Sequence, residues 1–523
     1  MLQKSASVTT EEAGAKAETF AARFFWAIAA LILVLGLLFR LPGLSDRSLW
    51  IDELYSQWFS SRSFAELWRD VPLFEPHPPV YYSLLKLWSS MFGDSELGLR
   101  SLSLVASLAT ILVTAMSGRL IKAGGMGEGV GLLGAALLAV NYANIREAQN
   151  ARPYAIQGLL LTVAVIAALV LATRLLRQAK AHEAAGGWLA PALILGISAG
   201  AALWIHNTSL FIAFGIWCGL ALSLIAAPAG QRLRNFGIFF AAGILALLVW
   251  APDIPLFLRQ SRAFADLPFW LTPKPRDLYS AWLLLIGDNW LAFPLALVLL
   301  AFSFTLDTVA PLKPALALAV AAVLFVPLYL MLAISFSVKP IYIQRLFAWM
   351  VPLTLLVIAL GILTLTRRRW IAAALALLTF ATAATASIRD FSRPIDDWKA
   401  IVAEIARNAK PDDVVIGVAA EGSIAVSYYA GRQPHFPPLV CIPGCYPQRN
   451  LPRPYGSNFG APKVIEADAA LVDQALKTHG RVWLVQVSVA LYDPNGIVRK
   501  EIAARRTFVR YYGNSLAKVE LFE

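Results

Sequence analysis

Residues 48–100 read SLWIDELYSQWFSSRSFAELWRDVPLFEPHPPVYYSLLKLWSSMFGDSELGLR. An apolar run lies on either side, from Phe24 to Phe39 before it and from Leu97 to Ile121 after it. Each run is close to the ~20 residues that an α-helix needs to cross a bilayer. The stretch is therefore a long loop between two membrane spans, unusually rich in acids, Tyr and Trp. Similar apolar runs, broken by charged, Gly-rich or Pro-rich segments, recur as far as Ser387.

The composition agrees. The 523 residues are 58% hydrophobic and only 15% charged, with a mean hydropathy of +0.62, whereas soluble globular chains are more evenly mixed. The expected fold is an α-helical polytopic membrane protein of about eleven spans, at roughly 24–41, 97–121, 129–143, 154–177, 188–205, 207–227, 236–257, 289–306, 314–336, 346–366 and 371–388. From Arg389 to Glu523 no run is long enough to span, so residues 389–523 are expected to form a soluble domain. The first run lacks a small-residue cleavage pattern and reads as an uncleaved helix after a cytoplasmic tail, residues 1–23.

A formal charge of +12 points to nucleic acid only in a soluble protein; here the side on which each charge lies matters more. Alternate gaps carry short basic clusters, such as Arg119 with Lys122, Arg232 with Arg234, and Arg367 to Arg369. These are assigned to the cytoplasm. The other gaps, 42–96, 144–153, 258–288 and 337–345, together with the tail, mix acids, His, Tyr and basic residues and are expected to face outward. That side is the periplasm if the source is a Gram-negative bacterium. An oxidising compartment would let Cys441 and Cys445 of CIPGC pair, although two free thiols fit the sequence as well.

In the first outward loop, Leu54, Trp58, Phe59, Phe64, Leu67 and Trp68 recur at helical spacing. Such helices lie flat in the interface and are expected to hold Asp52 and Glu53 near the membrane surface. An adjacent acidic pair can serve as a general base with a supporting carboxylate, bind a cation, or simply cap a helix. In EPHPPVYY, prolines stiffen the chain around Glu75 and His77, either to position reactive groups or as a plain turn before the next helix. Arg146, Glu147 and Arg152 crowd a short connection, where arginine suits phosphate binding but also internal ion pairs. His206 sits at the outward end of a helix hairpin. Lys339, Tyr342 and Arg345 of KPIYIQR lie on the side that disfavours positive charge, which suggests an anionic ligand there.

WIDE, HPPVYYSLLKLW, GLRSLS, EAQNARPYA and KPIYIQR together resemble membrane glycosyltransferases of the protein O-mannosyltransferase type, within the GT-C fold. The resemblance is to the bacterial branch of lipopolysaccharide galacturonosyltransferases and lipid A aminoarabinose transferases. It implies a multi-pass enzyme of the bacterial inner membrane that takes one sugar from a polyprenyl-phosphate carrier and passes it, with inversion, to an envelope lipid, glycan or protein. It also implies Asp52 as catalytic base with Glu53 beside it. Glu75, His77, Arg152, Tyr154 and Arg345 would lie near the donor phosphate, with Lys339 and Tyr342 as companions and Arg146 and His206 as further candidates. His77 stands where the aminoarabinose enzymes have Lys, with an extra residue after the Glu. No cofactor or metal ligand set is required, although the paired acids leave room for a divalent cation; no nucleic-acid partner is expected.

In the tail, DWKAIVAEIARNA has the helical spacing of Trp398, Ile401, Val402 and Ile405, while DDVVIGVA and RVWLVQVSVA read as strands. A small α/β domain is expected to cover the outward cleft and help select the acceptor. A transporter or lipid flippase would also have many helices, but it would place ionisable groups near the bilayer midplane. A ligase would differ in using a pyrophosphate-linked donor.

Overall fold

The computed structural model describes residues 24–121, 124–181, 187–264, 272–286, 313–365, 369–393, 396–456, 459–513 and 517–523. After α1 (Phe24–Arg40) the first loop folds into three helices, α2 (Ile51–Ser61), α3 (Phe64–Phe74) and α4 (Pro79–Phe92). Local chemistry sets their ends. Ser63 caps α3 in a reciprocal pair with Glu66. Pro79 begins α4, where its missing N–H is harmless. Gly93, at φ +80°, ends α4, and Ser95 caps the next helix.

There follow α5 (Glu96–Leu120), α6 (Gly124–Ala139), α7 (Tyr142–Ala148), α8 (Tyr154–Ala181), α9 (Leu189–Ile205), α10 (Ser209–Ser223) and α11 (Ala229–Trp250). Next come α12 (Ile254–Ala263), α13 (Asp277–Leu285), α14 (Lys313–Ser337), a 3-10 segment Gln344–Met350, α15 (Val351–Leu365) and α16 (Arg369–Asp390). Among the described residues, six helices are long and apolar enough to cross a membrane. A bent pair, Gly127–Ala139 with Tyr142–Ala148, makes up to seven, and three shorter apolar helices stand beside them. The eleven expected spans thus go beyond what the described helices carry by length and composition; the run 289–306 lies outside the described residues. Segment 258–288, read as a chemically varied outward gap between spans, contains most of α12 and the whole of α13. Ala281 to Leu285 of α13 are buried.

The 64° bend between α6 and α7 strips carbonyls of their helical partners, and a buried arginine supplies the replacement. The Arg40 guanidinium donates from Nη1 to Ala139 O (2.8 Å), from Nη2 to Asn144 Oδ1 (2.6 Å) and from Nε to Ser107 Oγ (2.9 Å). It is fully buried, so these bonds hold α1, α5, α6 and α7 together where water cannot compete. Arg40→Met is expected to lower unfolding stability by about 3 kcal/mol by leaving buried acceptors unmet. Thermal unfolding in detergent measures it, and an unchanged midpoint would refute the clamp.

The tail forms a five-stranded sheet of order β2-β1-β3-β5-β4, with β1 (Val414–Val418), β2 (Leu439–Ile442), β3 (Val482–Val487), β4 (Phe508–Gly513) and β5 (Ala517–Phe522). β1 pairs in parallel with β2 and β3, whereas β5 runs antiparallel to β3 and β4. The expected helix is α17 (Trp398–Asn408), with Trp398, Ile401, Val402 and Ile405 buried; α18 (Ala420–Ala430) follows β1. Cys441 and Cys445 are joined by a disulfide.

One hydrophobic core joins this sheet domain to the first loop, through Leu54, Phe59, Leu67 and Tyr82 on one side and Trp398, Tyr429 and Trp483 on the other. Tyr446 places its ring 5.1 Å from Tyr55, 5.0 Å from Trp58 and 5.7 Å from Phe74. Tyr55 donates to Glu421 at 2.8 Å, and the Leu49 N–H donates to the Tyr429 hydroxyl at 2.8 Å. This corrects the expectation that the apolar stripe of the loop lies in the membrane interface. Leu54, Phe59 and Leu67 are fully buried within this shared core, and only Phe64 and Trp68 turn outward. Tertiary packing offered a dry partner that a lone amphipathic helix would have sought in lipid.

Candidate functional site

Asp52 lies in the first turn of α2, half-buried, and its Oδ2 accepts from Arg345 Nη2 at 2.9 Å. Arg345 comes from the 3-10 segment before α15, so residues 293 apart in sequence meet here. The Arg345 guanidinium lies 5.0 Å from the ring centre of Trp50 and 5.6 Å from that of Tyr154. Both rings lie within reach of a cation–π attraction to it.

Behind this pair sits Arg152, almost wholly buried. It donates to Glu75 Oε1 (2.9 Å), the Asp52 carbonyl (3.2 Å), Tyr82 OH (3.3 Å) and Ser56 Oγ (3.4 Å). Glu75 also meets the His77 ring at Nδ1. The prolines of EPHPP prevent regular helix here, and Gln260 of α12 pins the turn by donating to the carbonyls of Glu75 and His77, at 3.0 Å each. Burial works to raise the Glu75 carboxyl, but Arg152 and His77 outweigh it and hold it at about 2. Burial pushes His77 below its usual range despite the pull of Glu75. It opposes the charge of Arg152 too, yet the neighbouring Tyr82, Glu75 and Asp52 keep that guanidinium firmly protonated.

His206 follows α9 and sets its ring edge-on to His77, 4.5 Å between centres, and tilted to Tyr154 at 5.4 Å. Its Nδ1 accepts the Thr208 backbone N–H at 3.1 Å, which places the proton of the neutral ring on Nε2. Burial, then the charges of His77, Arg152 and Arg345, hold its pKa well below the usual value.

Glu53, adjacent to Asp52, points the other way. It is fully buried and takes a bidentate pair from Arg100 of α5, Nε to Oε1 at 2.8 Å and Nη2 to Oε2 at 2.7 Å. The N–H groups of Ala151 (2.8 Å) and Trp50 (3.2 Å) add two more bonds. Arg146 also stands apart from the cluster, donating to Tyr142 OH at 2.7 Å. Lys339 donates to the Phe264 carbonyl at 2.6 Å, and Tyr342 shares a 2.8 Å bond with Ser280 of α13. Asp52, Glu75, His77, Arg152, Tyr154, His206 and Arg345 are thus brought together, while Glu53, Arg146, Lys339 and Tyr342 are engaged elsewhere.

Trp50, Tyr82 and Gln260 join the site without having been singled out from the sequence. Trp50 and Tyr82 lie within WIDE and HPPVYY, so adjacency was a signal. Gln260 gave none, because its role depends on α12 folding back. Asp396, just before α17, was also missed. Burial first, and then the charge of Asp52, holds its carboxyl above the usual range, so the segment leading into the sheet domain brings a further acid within electrostatic reach of Asp52.

Within the cluster three donors are unmet, beside one acceptor, the Gln260 Oε1. Arg345 Nε, Arg152 Nε and His206 Nε2 are buried and have no hydrogen-bond partner among the described residues. An orphaned buried donor costs roughly 1–3 kcal/mol, more when charged. Three such donors are carried by residues of this one cluster. Among the described residues no group of three or more His, Cys, Asp or Glu gathers as a metal would need.

No family model matches the chain, and no curated protein matches it in sequence. Solved structures do. ArnT from Cupriavidus metallidurans in the apo state aligns with a TM-score of 0.60 at 13% identity, over 97% of this chain and 98% of that one. The same protein bound to undecaprenyl phosphate aligns with a TM-score of 0.54 at 13% identity, over 96% and 98%. The oligosaccharyltransferase AglB from Archaeoglobus fulgidus, in complex with an inhibitory peptide and a dolichol-phosphate, aligns with a TM-score of 0.53 at 11% identity, over 96% of this chain and 74% of that one. The chain therefore has the GT-C fold expected from its loop motifs, over nearly its whole length.

Proposed function

We propose that a chain with this fold and this cluster moves a sugar from a polyprenyl-phosphate donor to a hydroxyl of an acceptor outside the cytoplasm. The acceptor is an envelope lipid, a glycan or a protein. The observation that carries this reading is the set of three orphaned donors, Arg345 Nε, Arg152 Nε and His206 Nε2, beside an accessible carboxylate. That ArnT has been seen with undecaprenyl phosphate and AglB with a dolichol-phosphate supports the same class of donor. The short basic loops support a cluster that faces the outer side of the inner membrane.

In the proposed reaction the Asp52 carboxylate takes the proton of the acceptor hydroxyl as its oxygen attacks the anomeric carbon. The bond from that carbon to the phosphate oxygen breaks, and the electron pair stays on the leaving phosphate. Arg345, Arg152 and the His206 N–H stabilise the charge that grows there. Attack opposite the leaving group inverts the anomeric centre. Glu75 keeps Arg152 in place, and Glu53 positions α2 through Arg100. The donor set suits an anion rather than a divalent cation. Asp52 is paired with Arg345 and Glu75 with Arg152, which leaves the cluster far short of the six or more oxygens that a hard cation takes.

A transporter is disfavoured because the charged cluster sits at helix ends and in loops, not along the apolar spans. The test is mass spectrometry of envelope lipids and lipopolysaccharide from a strain lacking the gene, with one sugar expected to be missing. In parallel, binding of undecaprenyl phosphate to the purified protein is expected to weaken about tenfold in His206→Ala, the loss of one hydrogen bond to a charged group. An unchanged envelope together with unchanged binding would overturn the reading.

A further inference from the structure

Away from the cluster, the C-terminal end of α2, the start of α3 and one face of α4 enclose an open groove of about 370 Å³. Its polar lining includes Gln57, Ser60, Lys86, Ser89 and Ser90. The hydroxyls of Ser60, Ser89 and Ser90 each donate to a carbonyl one turn back in their own helix, so their lone pairs remain available and each can turn to donate. Lys86 contacts only the Ser60 carbonyl, at 3.4 Å, and the face of Phe64, at 5.7 Å; no carboxylate pairs with it among the described residues. Asp94, the acid at the groove edge, is neutralised by Arg432 at 3.0 Å. The groove therefore offers a net positive charge with hydroxyl and amide groups around it.

The surface beside the groove is apolar and uncovered. Leu84, Leu87 and Met91 form one stripe of α4 and are 39%, 52% and 67% exposed, with Phe64 and Trp68 of α3 beside them at 45% and 42%. The stripe continues onto α9, against which α4 packs. Trp68 touches Trp204 there, at 6.3 Å between ring centres, and Ile194 and Ile197 are exposed on the same helix. Since α9 is one of the apolar helices, its exposed face is a lipid-facing face. The groove thus stands where hydrocarbon gives way to headgroups, a depth at which a basic side chain attracts phosphate.

We propose that this groove is a binding site for a membrane phospholipid. Lys86, Gln57 and the serine hydroxyls hold the phosphate, and the acyl chains run along Leu87 and Met91. The site is separate from the proposed donor-phosphate site. Asp52 and Ser60 lie on one helix eight residues apart, about 12 Å along its axis. A lipid held here would fix α3 and α4 against the membrane and so set the height of α2 and its carboxylate above the bilayer.

The test is native mass spectrometry of the full-length protein in detergent, titrated with palmitoyl-oleoyl-phosphatidylglycerol. The wild type is expected to retain the lipid, Lys86→Ala to retain about tenfold less, and Lys86→Arg to retain it nearly as well. Thermal unfolding without lipid shows whether Lys86→Ala is folded; should it not be, Lys86→Gln takes its place. Glycerol 3-phosphate and diacylglycerol are run as competitors. Equal retention by the wild type and the folded charge-removing variant would overturn the proposal. So would displacement by glycerol 3-phosphate at the lipid's own concentration, which would point to a soluble phosphate ligand, or displacement by diacylglycerol, which would leave the phosphate contact without a role. None of these readouts depends on sugar transfer, so the proposal and the enzymatic reading fail separately.

Discussion

Asp52→Asn is expected to lower sugar transfer about a thousandfold while leaving the protein folded and inserted. The range for loss of a general base is about 10²–10⁴, and a thousandfold corresponds to about 4 kcal/mol of transition-state stabilisation. The amide keeps the shape of the side chain and still offers an oxygen to Arg345 Nη2, which now donates to the carboxylate at 2.9 Å. What it loses is the capacity to take a proton. Both partners are partly solvated, with side-chain exposures of 28% for Arg345 and 24% for Asp52, so the stability change is expected to stay within about 1 kcal/mol. Transfer from a synthetic polyprenyl-phosphate sugar, followed beside thermal unfolding, separates the two effects. Residual turnover within tenfold of the wild type would remove Asp52 from the role of base.

One residue further on, the expected failure is of another kind. Glu53→Ala is expected to lose about 3–5 kcal/mol of stability, the penalty for leaving a buried ion-pair partner uncompensated, and to accumulate poorly. Arg100 would keep the carbonyls of Arg47 and Ser48, at 2.8 Å each, but lose its only bidentate anion. The N–H groups of Trp50 and Ala151 would lose their acceptor as well. Glu53 thereby ties the start of α2, the loop before it, α5 and the segment leading to Arg152 into one unit. Replacing Glu53 and Arg100 together by Met should recover part of the loss, because no charge is then left unpaired. A well-folded but inactive Glu53→Ala protein would return Glu53 to the chemistry.

The contrast between these neighbours shows how far the amino-acid sequence could be read. WIDE marks an acidic pair at the start of an amphipathic helix, and nothing in one dimension separates the two acids. On a helix, consecutive side chains point about 100° apart, so one carboxylate can face a cleft while the next faces the core. Which one does so depends on where Arg100 and Arg345 arrive. In the same way KPIYIQR offered Lys339 and Tyr342 as companions of Arg345, yet only Arg345 reaches Asp52, because the turn into the 3-10 segment sends the other two toward the carbonyl of Phe264 and the hydroxyl of Ser280.

From sequence alone the apolar runs determine a helical membrane protein whose tail carries no spanning run, since any backbone that crosses lipid must satisfy its own hydrogen bonds. The motifs EPHPPVYY, EAQNARPYA and KPIYIQR also point to the residues that matter, because charge and proline are costly beside a membrane unless something requires them. The partners of those residues were decided only by tertiary structure. Contacts such as Asp52 with Arg345, Arg152 with Glu75 and His206 with His77 join segments brought together by packing. The burial of Leu54 and Phe59 within the core shared with the sheet domain, in place of lipid, was likewise settled by which dry surface the fold made available. A sequence records which side chains need a partner, and the packed chain selects which one they get.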